Sequence, residues 1–155
     1  MEKISKHLSY GEVVRSDTAK RLGINNQPND SALPYIRMVA NTIFEPLREA
    51  LGGKPIAVTS FYRSVRLNKA IGGSSKSQHC KGQAVDLDAD VHGGMTNSEI
   101  FNYIRYNLPF DQLIWEFGDD NEPDWVHVSL VATGNRKQCL KATRTAGGKT
   151  KYEYI

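Results

Sequence analysis

Little in this chain points to any stabilising device other than packing. Two cysteines among 155 residues, Cys80 and Cys139, are too few for a disulfide framework and form no CxxC pair, so nothing demands an oxidising compartment. No apolar run approaches the roughly 18 residues of a membrane span, and the segment from Met1 to Ser9 is polar rather than signal-like. There is no internal repeat, no linker and no low-complexity stretch. The absences predict a cytoplasmic chain without a membrane partner.

What is present is ordinary for a packed soluble protein: 39% apolar, 24% charged and 9% aromatic residues. At this length a single domain over residues 1–155 buries about two-thirds of its unfolded surface and needs no staple. The net charge is +3, and the excess gathers late, at Arg136, Lys137, Lys141, Arg144, Lys149 and Lys151. So mild a cluster reads as a solvated face rather than a nucleic-acid footprint.

Residues 1–30 read as an irregular arm holding one short helix, capped by Ser16 or Asp17 and closed by Gly23. A long amphipathic helix starts near Ser31, with Pro34 in its first turn, and Pro46 is expected to kink it before Gly52-Gly53 ends it. A strand over Ile56–Ser60 leads to a helix capped by Ser64. Ala84–Asp88 is a strand with Asp86 and Asp88 on one face. Thr96 has capping-box spacing to Glu99 and opens a helix to about Asn107. Gln112–Phe117 and Trp125–Val131 are strands, and the tail reads as a hairpin turning at Ala146-Gly147-Gly148. Helices and strands do not alternate strictly, so the fold class is α+β, with a small antiparallel sheet and helices packed on one side.

The chemistry concentrates in Ser77-Gln78-His79 through Asp86 and in Asp124-Trp125-Val126-His127. Catalytic zinc keeps three protein ligands and one open position, and accepts imidazole and carboxylate together. His79, Asp86 and His127 supply that set, one Zn2+ per chain. Asp124 stands in the turn before the second ligand strand as general base, and Arg63 ends an early strand where it can polarise a carbonyl or hold a carboxylate. A single His would more often be a structural residue; five such residues in this order are not easily a coincidence.

Ser60-Phe61-Tyr62-Arg63-Ser64, Ser77-Gln78-His79 with Gly82 and Ala84-Val85-Asp86, and Asp124-Trp125-Val126-His127 together resemble the motif set of the M15 zinc peptidases. This family comprises D-Ala-D-Ala carboxypeptidases and L-alanyl-D-glutamate endopeptidases, and the likeness, from about Ser9 to Leu130, is to its short phage and bacterial branch. The resemblance implies a small metallopeptidase fold shared with the hedgehog signalling domain, and peptidoglycan stem peptides as substrate. It also implies His79, Asp86 and His127 as zinc ligands, Asp124 as base and Arg63 as clamp. It further suggests a monomer that acts on the cell wall after release, through a phage-made pore. Phe61 stands where such enzymes often carry glycine, and its ring is expected to narrow the cleft.

The remaining candidates read more plainly. Asp88 is a solvent-facing strand carboxylate, His7 and His92 are surface or loop residues, and Cys80 is a small buried side chain. Trp125 and Trp115 are sheet packing, Glu116 a rim charge, and Tyr152 with Tyr154 hairpin packing. Two other classes use the same residues: a facial-triad iron oxygenase, whose first His and carboxylate usually stand two apart, and a zinc-stabilised module that binds wall peptides without cutting them.

Overall fold

A computed structural model describes residues 2–155. The arm is more ordered than its composition suggests. Strands β1 (Lys3–Ser5) and β2 (Leu8–Ser9) pair antiparallel, and helix α1 (Tyr10–Val14) follows. Ser9 and Glu12 open α1 with a reciprocal capping box, a signal present in the sequence. Helix α2 (Asp17–Leu22) is the expected one, with the Ser16 hydroxyl accepting from the Ala19 N–H and Gly23 left-handed at its end.

The long helix is built in three pieces: α3 (Ala32–Val39), a π-helical turn (Ala40–Phe44) and α4 (Glu45–Ala50). Pro46 has no N–H for the carbonyl one turn back, and the wider turn just before it, closed by the Glu45 N–H to the Ala40 carbonyl, takes up the mismatch. The apolar stripe survives, with Ile36, Val39, Ile43 and Leu47 fully buried. Glu45 ties the arm down by accepting from the Ser5 hydroxyl and the His7 N–H.

Strand β3 (Ala57–Ser60) leads to α5 (Val65–Ala70), capped by Ser64, and then to a 3-10 turn (Gln78–Lys81) that carries His79. Next come β4 (Ala84–Asp88), a 3-10 turn (Ala89–Val91) and α6 (Asn97–Asn107), whose Thr96 hydroxyl accepts from the Glu99 N–H. Strands β5 (Gln112–Glu116), β6 (Trp125–Ser129), β7 (Gln138–Arg144) and β8 (Thr150–Tyr154) complete the chain. No helix among the described residues is long and apolar enough to cross a membrane.

The main sheet has six strands in the order β3-β4-β6-β5-β7-β8. It is mixed rather than purely antiparallel, because β5 and β7 run parallel. After the β5–β6 hairpin the chain returns to the free edge of β5, where the Gln138 N–H bonds the Asp111 carbonyl and starts β7 in the direction of β5. The α+β class stands. One face of the sheet presents Val85, Leu87, Leu113, Trp115, Val126 and Val128 to a core completed by Ile36, Phe44, Leu47, Ile100 and Phe101 from the helices. The other face carries Asp86, His127, Ile114, Glu116, Leu140 and Ala142, and opens into a cleft.

Candidate metal centre

The site is assembled by strand register. Asp86 on β4 pairs with His127 on β6, His127 with Ile114 on β5, and Glu116 with Trp125, so these side chains share the face opposite the core. His79 arrives from the 3-10 turn beneath them. That turn packs close to α3: a Cβ on Gly82, at φ +73°, would stand 2.7 Å from the Ala32 carbonyl oxygen, so both backbone conformation and space require glycine there.

His79 is 2% exposed. Its Nδ1 lies 2.7 Å from the Phe61 carbonyl oxygen, which can only accept, so Nδ1 carries the proton and Nε2 keeps its lone pair. Nε2 is buried, has no hydrogen-bond partner, and sits 3.4 Å from Asp86 Oδ1. His127 Nδ1 is 2.9 Å from the same oxygen, and the two imidazole centroids are 5.1 Å apart. Burial pushes the His79 pKa below its ordinary value, so the ring is neutral, as a ligand must be. Burial alone would raise Asp86, but the hydrogen bond from His127 Nδ1 opposes it and the group stays a carboxylate.

One donor atom from each of His79, Asp86 and His127 lies within 4.8 Å of the others. Ligands about 2.0–2.2 Å from one cation stand at this order of separation from each other. The orphaned Nε2 and the imidazole–imidazole–carboxylate donor set fit a borderline-soft divalent metal.

Arg63 and Glu116 line the same cleft, whose volume is about 530 Å³. The Arg63 guanidinium donates from Nη1 to Asn68 Oδ1 at 3.1 Å, and Asn68 Nδ2 donates to the Ser74 carbonyl, so the buried Asn68 is held at both ends. Gly73 fits against this pair: a Cβ there would lie 2.1 Å from Asn68 Oδ1. Glu116 is 8% exposed, and burial, together with the Asp86 charge, pushes its carboxyl up to about 7 against the opposing effect of His127.

Asp124 is placed differently. It is exposed, its N–H bonds the Glu116 carbonyl, and it is not among the residues that line the cleft. Glu116, expected as a rim charge, is a buried cleft residue. Trp125, expected as packing, is half-buried and lines the cleft, as does Tyr152. Phe61 does not narrow the cleft, since its ring is in the core and only its carbonyl serves the site. Asp88 accepts from Asn97 and from the Asp90 N–H, joining α6 to the end of β4. Phe117 has φ +57°, a conformation costing on the order of 1–3 kcal/mol for a non-glycine residue; its ring lies 5.4 Å from that of Trp125 and 4.3 Å from the Arg144 guanidinium.

A His–Asp–His donor set open to a cleft on an α+β scaffold defines the class as a candidate metal-binding protein. A sequence model of the Peptidase M15 family matches residues 6–129, and the chain belongs to that family. It is also similar to the zinc D-Ala-D-Ala carboxypeptidase of Streptomyces albus G, at 45% identity over 49 residues. That stretch is 32% of this chain and 19% of the relative, so the chain matches about a fifth of that protein's length.

Proposed function

We propose that this chain is a single-domain zinc peptidase of peptidoglycan stem peptides, of the hedgehog and D,D-peptidase fold type, cutting a bond next to a D-amino acid. The observation that carries the reading is His79: buried, with Nδ1 committed to the Phe61 carbonyl and Nε2 left unpartnered toward Asp86 and His127. Zinc held by these three residues supplies Lewis acidity and lowers the pKa of water. The name of the Streptomyces relative supports a substrate bearing D-alanine.

The protein's own groups divide the remaining work. Glu116, a buried carboxyl that lines the cleft beside the metal residues, takes the proton of the attacking water and returns it to the leaving amine. Its placement in the cleft favours it for this role over Asp124, which motif spacing suggests. Arg63, oriented by Asn68, keeps its charge at all working pH and holds a substrate carboxylate or the developing oxyanion. The Phe61 carbonyl keeps the His79 ring in one tautomer.

The test is mass spectrometry of stem peptides incubated with zinc-loaded protein and with a chelated control. New termini that disappear with chelator are expected. Released D-Ala would identify a carboxypeptidase, and a new D-Glu amino terminus an endopeptidase. No new termini despite one bound zinc would favour a wall-peptide binding module.

A further inference from the structure

The family match stops at residue 129, but the cleft does not. Arg136, Thr150 and Tyr152, all beyond that point, line it together with the metal-binding residues. The register shows how. Trp125, Glu116, Ala142 and Tyr152 form one row across β6, β5, β7 and β8, adjoining the row of Asp86, His127, Ile114 and Leu140. Ala142 is fully buried, and its methyl leaves room for a ring from β8 to lie toward Glu116. The tail is also firmly fixed. Phe117 N–H bonds the Ala142 carbonyl, and Asp111 accepts from Arg136 on one side and from Gln78, next to His79, on the other.

The two ends of the cleft differ in chemistry. Toward the start of β5 stand the cations Arg63, Lys76 and Arg136. The Asp111 carboxylate there is occupied by Arg136 and Gln78. Toward the end of β5 stand Phe117, Trp125 and Tyr152, with the metal residues between. A peptide carboxylate suits the first end, which leaves the second end for the acyl side of the scissile bond.

Resting on the peptidase reading above, we propose that the β7–β8 hairpin forms a substrate subsite in which Tyr152 contacts the acyl-side flank of the peptide, so that extended chains are selected over short ones. The test is a ladder of peptides sharing one scissile bond and carrying from one to four residues on its acyl side. Each is measured for kcat/KM and for calorimetric affinity with the zinc-loaded wild type, Tyr152→Ala and Tyr152→Phe. The wild type is expected to favour extended peptides. Tyr152→Ala reduces roughly tenfold the ratio of kcat/KM for extended over shortest peptide, through KM, and Tyr152→Phe keeps the stacking share. Equal losses on short and long peptides, or none on either, would overturn the subsite. If the wild type cuts nothing, the peptidase reading fails by itself. The calorimetric ladder then decides: length-dependent binding that Tyr152→Ala flattens upholds the subsite, while length-independent or absent binding refutes it.

Discussion

The two faces of the sheet use the same strands one residue out of step. Val85, Leu87, Val126 and Val128 are fully buried against the helices, while Asp86 and His127, their immediate neighbours, meet across the opposite face with Glu116 alongside. The apolar face gains from removing surface from water, with no demand on direction. The polar face buries ionisable groups whose desolvation is offset only in part by one another. Its arrangement makes sense as a receptor for a cation and a reaction, and the first face bears the cost of holding it.

The sharpest way to break this contrast is His79→Ala. Bound metal and activity should both vanish, as read by elemental analysis and peptide cleavage, while the far-ultraviolet circular dichroism stays native. Next comes Glu116→Gln, expected to retain metal and to lower kcat by about 10²–10⁴-fold, with Asp124→Asn close to wild type. The reverse ranking would return the base to Asp124. On the apolar face, Leu87→Ala should cost about 2–5 kcal/mol in denaturant unfolding and leave the zinc stoichiometry of the folded fraction at one.

The smallest effect is a pH dependence of the metal-free protein. Glu116 ionises from 4.5 when unfolded but holds its proton to about 7 when folded. As pH rises between those values the unfolded chain loses a proton that the folded chain keeps, so stability falls, by about 3 kcal/mol in all. Glu116→Gln should flatten that decline in chemical denaturation. A wild-type curve that rises over the same interval would show that Glu116 is not held protonated.

Much of this division can be read from residue order. His79, Asp86 and His127 announce themselves by type, and the alternation in β4 and β6 separates ligands from core. The caps at Ser16, Ser64 and Thr96 mark α2, α5 and α6. The capping box at Ser9 was equally legible, and it marks a helix in the segment that otherwise reads as an irregular arm. Glu116 is harder: whether it faces core or cleft depends on the β5–β6 register, which the loop over residues 117–124 conceals. Spacing draws attention instead to Asp124, three residues before His127, in the turn that enters β6. The parallel β5–β7 pair is a long-range choice made by the Asp111 anchor, and no local pattern encodes it.

Gly73 carries the last consequence. Every other amino acid begins its side chain with the one atom that collides with Asn68, whose carboxamide is already held by Arg63 and Ser74. In a saturation library selected for turnover, position 73 should therefore be as intolerant as a metal ligand, although glycine there performs no chemistry and merely leaves the space in which Arg63 is aimed.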